Sequence, residues 1–263
     1  MRMIHREDQG STTILRIEHG KVNALDLELV EALAGEIAAT ARAAAGAIVL
    51  TGTGGTFSAG VDLFRVLDGG GEYIRRFLPR LEQLFRDLFL HPRPVVAAVN
   101  GHAIAGGCLL ACACDRRLIA AGGARVGVPE LRVGVPFPAT AFEVLRFATG
   151  DRDLERVAYT GTTFAPDEAK THGLVDEVVP VTELLERAVH VAGEMAAIPA
   201  DAFRLAKQQA RAPALERCGK LGPDFSARVL ETWMSPTSTD AIRSYLERTL
   251  GNSRKRNQDE QEG

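Results

Sequence analysis

The sequence predicts an α/β fold that continues into a helical region at the carboxyl end. Over the first two thirds of the chain, short strand-like segments alternate with longer segments whose apolar residues recur every three or four positions. Such alternation is typical of α/β architecture. After about residue 197 only the helical patterns continue. We therefore predict an α/β core over residues 1–197 and a helical C-terminal region over residues 198–263.

The individual elements follow from local patterns. Residues 13–18 alternate as a half-buried strand does, whereas residues 72–90 place their apolar side chains on one helical face. The other predicted strands cover residues 47–50, 94–99 and 117–120, and the other predicted helices cover residues 25–45, a segment opening at Gly106-Gly107, and residues 200–212, 215–233 and 240–250. From about residue 251 the chain is polar and charged, which predicts a disordered tail.

Composition excludes several classes of function. A content of 46% hydrophobic and 25% charged residues is ordinary for a soluble globular protein. The net charge of -3 gives no electrostatic reason to expect nucleic acid or membrane partners. Cys108, Cys112 and Cys114 lie within one predicted helix, which favours reduced packing residues over disulfides or a metal site. With no apolar secretory segment near the N-terminus, we predict a cytoplasmic protein.

Two strand-to-helix junctions resemble each other. The segments 57–63 (FSAGVDL) and 99–108 (VNGHAIAGGC) each follow a strand-like run and place glycine where a helix begins. Helix starts expose unpaired backbone N–H groups, and two of them converging on one point would stabilise a developing oxyanion. Glycine-rich turns are also ordinary in α/β proteins. The residues alone leave both interpretations open.

Five segments in order carry a resemblance along nearly the whole chain to the enoyl-CoA hydratase/isomerase (crotonase) superfamily. These segments are Val22-Asn-Ala-Leu25, the two junctions, Cys114-Asp115 and Pro129-Glu130. The resemblance implies a crotonase-like spiral of ββα units and a C-terminal trimerisation region, giving a homotrimer or a dimer of trimers. It also implies an acyl-CoA substrate that carries coenzyme A itself, with no permanently bound cofactor and no metal. The thioester oxygen would be held by the backbone amides of Val61 and Gly106.

The resemblance also implies which chemistry to expect. Family hydratases typically use two glutamates; one position matches Glu130, whereas the other is occupied by Leu109. Moving a double bond from C3 to C2 needs only one base, but adding water is easier with two carboxylates. We therefore expect a single acid/base, Glu130, and favour an isomerase over a hydratase. A non-catalytic acyl-CoA-binding protein and a thioester hydrolase remain as alternatives.

Further residues are assigned around these positions. Gly106-Gly107 is expected to leave the backbone bare so that the substrate can approach it. Asp62 is expected to cap the following helix. Glu143 and Lys207 are interpreted as solvated; the alternatives are a Glu143 that reaches the pocket and a Lys207 that binds a coenzyme A phosphate. The predicted substrate-binding residues are Ala59, Gly60, Val61, Asp62, Leu63, Phe64, Gly106, Gly107, Leu109 and Phe137.

Overall fold

The computed structural model describes residues 2–42 and 46–262, with side chains described as far as Thr249. The strands are β1 (Ile4–Gln9), β2 (Thr12–Ile17), β3 (Ala47–Gly52), β4 (Thr56–Ser58), β5 (Val95–Val99), β6 (His102–Ile104), β7 (Arg116–Ala120), β8 (Val126–Gly127), β9 (Thr163–Phe164) and β10 (Glu177–Val179). The helices are α1 (Leu27–Arg42), α2 (Leu63–Phe89), α3 (Gly106–Cys112), α4 (Glu130–Val133), α5 (Ala139–Thr160), α6 (Pro166–Thr171), α7 (Leu184–Ala196), α8 (Ala200–Trp233) and α9 (Pro236–Glu262). The α/β prediction is confirmed.

Two sheets organise the core. The larger has six strands in the order β1-β2-β3-β5-β7-β10, antiparallel only between β1 and β2. Its central strands β3 and β5 are buried at every residue, as expected for parallel strands covered on both faces. The smaller sheet has the order β4-β6-β8-β9, with β4, β6 and β8 parallel.

The smaller sheet positions the candidate site. Strands β4 and β6 are parallel neighbours, with Ser58 paired to Ala103. Each strand leads within a few residues into a helix, α2 after β4 and α3 after β6. Because carboxyl ends of parallel neighbours lie at the same edge, the two helix starts lie side by side.

Several predicted boundaries differ from the structure. Helix α2 begins at Leu63 rather than at residue 72. A first helical segment precedes the predicted one, and the two meet at a kink at Gly70, whose φ of 55° and ψ of -151° are not helical. The two helices predicted at 200–212 and 215–233 form one helix, α8. Residues 43–45, at the end of the helix predicted over 25–45, lie outside the described residues.

Helix α9 is described as far as Glu262, and the disordered tail expected from about residue 251 stays a prediction. Lysine, arginine, glutamine and glutamate are all good helix formers, so a polar composition does not prevent α9 from continuing. The predicted boundary at 197/198 falls in the connection between α7 and α8. Among the described residues, no helix is both long and apolar enough to cross a membrane.

A buried ion cluster fastens α8 to the core. The Lys207 ammonium lies 2.8 Å from one carboxylate oxygen of Asp115, and Arg211 lies 2.8 Å from the other. Burial lowers the pKa of Lys207 to about 8, although the nearby Asp115 carboxylate opposes the shift. Neither interpretation of Lys207 as solvated or as a phosphate ligand fits, because its side chain is 6% exposed and paired.

Candidate active site

A cavity of about 580 Å³, partly open to solvent, lies beside the starts of α2 and α3. Its walls come from the segment before α2, from α2 itself, from the turn before α3, from α4 and the residues after it, and from the two C-terminal helices. Most of its lining residues are apolar. Glu130 is the only acidic residue among the described residues that line it. An apolar chamber with one carboxyl group suits an apolar substrate and a proton transfer.

The first edge of the cavity is the segment that leads into α2. The Leu25 N–H donates to the Gly60 carbonyl at 2.7 Å, and the Asp62 N–H donates to the Leu25 carbonyl at 3.0 Å. The Asp62 carboxylate then accepts hydrogen bonds from the first turn of α2, which confirms its predicted capping role. Between these anchored neighbours lies Val61, which lines the cavity.

The second edge is the turn before α3. The Ala105 N–H donates to the Gly127 carbonyl at 2.8 Å. Ala105 has φ 52° and ψ -127°, a conformation that costs a non-glycine residue about 1–3 kcal/mol and is often found at functional sites. Gly106 follows as the first residue of α3 and lines the same cavity as Val61.

The amides of Val61 and Gly106 are available to a ligand. In the described part of the chain, neither N–H donates a hydrogen bond to another protein group. Buried amides are almost always paired, so two uncommitted N–H groups on residues lining one cavity form a candidate anion-stabilising pair.

Glycines bring the two edges together. Gly60 has φ +84°, and a Cβ there would lie 2.6 Å from the Ile104 carbonyl oxygen. At Gly107 a Cβ would lie 2.2 Å from the Ser58 carbonyl oxygen. The expectation that Gly107 is bare for the substrate is therefore corrected: it does not line the cavity, and it is needed because α3 packs directly against β4.

Glu130 supplies the acid/base candidate. It is the first residue of α4 and only 7% exposed. Within the described chain, its Oε2 has no hydrogen-bond partner. Burial raises the pKa of Glu130 to about 8; its own backbone amide opposes this shift and the nearby Cys112 thiol adds to it. A carboxyl group with a pKa close to neutrality can both accept and return a proton.

The predicted substrate-binding residues divide into two groups. Those that line the cavity are Ala59, Val61, Leu63, Gly106 and Leu109. Those outside its lining are Gly60, Asp62, Phe64, Gly107 and Phe137. Asp62 caps α2, Phe64 points to solvent with 53% exposure, and Phe137 lines a second groove instead.

Sequence reasoning did not find the contribution of the C-terminal helices. Trp233, the last residue of α8, and Tyr245, within α9, both line the cavity. No motif surrounds either residue. The available signal was composition. Trp233 is the only tryptophan in the chain, and a large aromatic side chain is a suitable lining residue for a nearly apolar site.

Glu143 was interpreted as a solvated side chain, which is wrong. It lies in a second groove of about 1020 Å³ between α5 and α8, away from the first cavity. Its carboxylate lies 3.2 Å from Arg146 and 2.6 Å from Arg217. Arg217 is 74 residues away along the chain, so this partner could not be read from the local pattern.

Comparison with known proteins gives a consistent result. The sequence model of the family described as Enoyl-CoA hydratase/isomerase matches residues 7–252. The chain is 33% identical over 207 residues to the short-chain-enoyl-CoA hydratase of Clostridium acetobutylicum, covering 77% of this chain and 78% of that protein. It is 29% identical over 253 residues to the human mitochondrial enoyl-CoA delta isomerase 1, covering 95% of this chain and 82% of that protein.

A solved structure also resembles the whole fold. The crystal structure of human mitochondrial delta3-delta2-enoyl-CoA isomerase superposes with a TM-score of 0.90 at 26% sequence identity. The match covers 95% of this chain and 99% of that chain. The similarity therefore includes both the α/β core and the C-terminal helices.

Proposed function

The chain belongs to the enoyl-CoA hydratase/isomerase family and is an enzyme of that family, and on this premise we propose that it shifts the double bond of a 3-enoyl-CoA to C2. One observation carries the choice of reaction. Among the described residues that line the cavity, Glu130 is the only acidic one. It matches the second of the two glutamates of family hydratases, whereas Leu109 occupies the position of the first.

The backbone amides provide the electrophilic half of the reaction. The thioester oxygen accepts hydrogen bonds from the N–H groups of Val61 and Gly106. As the C2 proton leaves, negative charge moves from C2 onto this oxygen, where the two donors stabilise it. A donor of this kind is typically worth about 2.7–4 kcal/mol of transition-state stabilisation.

Glu130 provides the proton transfer. Its carboxylate removes a proton from C2, and the electron pair is delocalised over the dienolate. The neutral carboxylic acid then returns the proton to C4, while the C2–C3 double bond forms and the thioester carbonyl is restored. The proton count balances on Glu130 alone, because one group acts first as base and then as acid.

Leu109 argues against hydration as the main reaction. Its side chain is 2% exposed and lines the cavity as part of α3. Hydration requires a positioned water as nucleophile and a proton for C2, and an isobutyl side chain neither activates nor orients water. The proposed isomerisation needs no group at this position.

The remaining family properties are part of the proposal. Coenzyme A arrives with the substrate, so no permanently bound cofactor is required. We expect a homotrimer or a dimer of trimers acting in the cytoplasm, where Cys108, Cys112 and Cys114, all free and buried, stay reduced.

The test is a direct comparison of two substrates. The protein is incubated with 3-hexenoyl-CoA and with 2-hexenoyl-CoA, and formation of the conjugated thioester, of 3-hydroxyhexanoyl-CoA and of free thiol is followed separately. We expect isomerisation of the first substrate to exceed hydration of the second. Glu130→Gln should lower isomerisation by about 10²–10⁴-fold, because glutamine cannot carry the proton.

Each other outcome points to a different reaction. Faster hydration than isomerisation would replace the proposal with a hydratase. Release of free thiol would indicate a hydrolase. Tight binding of both thioesters without turnover would indicate an acyl-CoA-binding protein, and undiminished turnover by Glu130→Gln would rule out the assigned role of Glu130.

A further inference from the structure

The C-terminal helices form part of the cavity wall in the same chain. Trp233 ends α8 and is 3% exposed, and it lines the cavity that also contains Glu130. Tyr245 of α9 lines the same cavity. The region expected from the sequence to serve assembly therefore also shapes the space in which an acyl group would lie.

The same helices also hold the backbone that follows Glu130. The Trp233 indole N–H donates to the Pro136 carbonyl at 2.9 Å. The Ser238 hydroxyl donates to the Gly134 carbonyl at 3.1 Å. Residues 134–136 are thus hydrogen-bonded to both C-terminal helices directly after α4, the short helix that carries Glu130.

Packing at Gly134 leaves little freedom in this arrangement. Gly134 ends α4 in the left-handed region with φ +94°. A Cβ at this position would lie 2.4 Å from the Cβ of Ala241 on α9. The backbone after α4 therefore lies directly against α9, with no space for a side chain between them.

We propose that Trp233 is a specificity-determining and positioning residue, which limits the acyl group that the cavity accepts and fixes the segment that follows Glu130. This inference rests on the proposed function for the identity of the ligand. The two roles rest on two features of the Trp233 side chain. It lines the cavity, and its indole N–H donates a hydrogen bond to the Pro136 carbonyl.

The ring determines size and polarity. Because Trp233 lines the cavity, a smaller side chain enlarges it, and longer acyl chains gain room. A single methylene in an apolar pocket is typically worth 10–200-fold in discrimination. The substrate class is therefore an acyl thioester with a mainly apolar acyl group, since Glu130 is the only charged side chain among the described residues that line the cavity.

The hydrogen bond from the Trp233 indole N–H to the Pro136 carbonyl keeps the segment after α4 in place and so keeps water away from Glu130. The titratable groups recorded near its carboxyl are the Cys108 and Cys112 thiols of α3, and burial dominates the rise of the Glu130 pKa to about 8. If residues 134–136 loosen, water reaches Glu130 and its pKa falls towards the ordinary range. The acid limb of the rate profile then moves to lower pH.

Three variants separate these roles. Trp233→Leu changes both the wall and the hydrogen bond. Ser238→Ala removes the hydrogen bond to the Gly134 carbonyl, and with it one that the hydroxyl accepts from Ser235, but it leaves the wall intact because Ser238 does not line the cavity. Phe225→Ala is the matched control, since Phe225 lies on α8 but faces the second groove. Folding is checked by circular dichroism, and Trp233→Phe replaces Trp233→Leu if the latter does not fold.

The first readout needs no turnover. Calorimetry with butyryl-, octanoyl- and lauroyl-CoA measures how dissociation constants change with chain length. For Trp233→Leu we expect the ratio of lauroyl-CoA to butyryl-CoA affinity to rise at least about 10-fold, and for Trp233→Phe about 3-fold. Ser238→Ala and Phe225→Ala should leave the ratio unchanged. An unchanged ratio in a folded Trp233 variant overturns the specificity role.

The second readout is the pKa of Glu130. The acid limb of kcat/KM should move to lower pH by about 0.5–1 unit in Ser238→Ala and in the Trp233 variant, with kcat lowered more than KM is raised, but not in Phe225→Ala. If the isomerase assignment fails, the pH dependence of unfolding reports the same pKa. An acid limb that stays in place in both variants overturns the positioning role.

Discussion

The regions around Glu130 and Glu143 contain nearly equally buried glutamates with opposite surroundings. Glu130 is 7% exposed and Glu143 is 9% exposed. The Glu143 carboxylate is bound by Arg146 and Arg217, whereas Glu130 has an oxygen with no partner among the described residues. The unpaired glutamate lies in the smaller cavity and the paired one in the larger groove.

This contrast teaches how to separate a functional carboxyl group from a structural one. Burial alone does not distinguish them, and neither does the volume of the neighbouring cavity. What distinguishes them is whether the protein compensates for the desolvated charge. A buried group that the fold leaves unpaired costs stability, so its partner is expected to be a ligand.

The largest expected difference between the two regions is catalytic. Glu130→Gln should lower kcat for double-bond isomerisation by about 10²–10⁴-fold, whereas Glu143→Gln should change it by no more than about 3-fold. Both substitutions are isosteric, so each serves as the control for the other. Equal losses in steady-state assays with 3-hexenoyl-CoA would break the comparison.

The next effect is the pH dependence of stability. The folded-state pKa of Glu130 is raised to about 8 from an ordinary value of 4.5, so its stabilising contribution is complete below pH 4.5 and is lost as pH rises through 8. Between pH 5 and pH 9 we expect the wild type to lose about 2–4 kcal/mol relative to Glu130→Gln.

Chemical denaturation of both proteins at several pH values measures this difference. Glu143→Gln provides the comparison, because it retains Glu130 and should lose stability with pH as the wild type does. A constant difference between the wild type and Glu130→Gln from pH 5 to pH 9 would show that Glu130 is not buried as a neutral acid.

A smaller effect on stability is expected at Glu143, where the ionised carboxylate stabilises the fold instead of destabilising it. Glu143→Gln removes the charge that holds Arg146 and Arg217, so the free energy of unfolding should fall by about 1–2 kcal/mol at pH 7. Both arginine side chains are partly exposed, which keeps the loss below that of a fully buried pair. Urea denaturation measures it, and Glu143→Gln being as stable as the wild type would contradict the pairing.

The smallest expected effect is the salt dependence of the destabilisation caused by Glu143→Gln. Raising NaCl from about 0.05 M to 1 M should reduce the destabilisation caused by Glu143→Gln by a few tenths of a kcal/mol, because salt screens partly exposed ion pairs. The effect of Glu130→Gln on unfolding at pH 7 should not change, since none of the ion pairs between described residues includes the Glu130 carboxyl group. A salt response of equal size at both positions would remove this distinction.

Much of the fold and part of the site could be predicted from the sequence. The strand from residue 13 and the helix from residue 72 are encoded by local periodicity, and the capping role of Asp62 by its place before a helix. The positions of Val61, Gly106 and Glu130 on one cavity were expected from motif order. What was missed depends on distant partners: Glu143 was misread because Arg217 comes from another helix.

The sequence by itself determined the alternation of strands and helices, the two glycine-bearing junctions, and the presence of Glu130 at one family glutamate position and of Leu109 at the other. These features are local, since hydrophobic period and backbone conformation depend on neighbouring residues. Only the tertiary structure decided that Gly107 serves packing, that Lys207 is buried against Asp115, and that Trp233 lines the cavity. Those roles arise from contacts between segments far apart in the chain, and local patterns do not specify which distant surfaces meet.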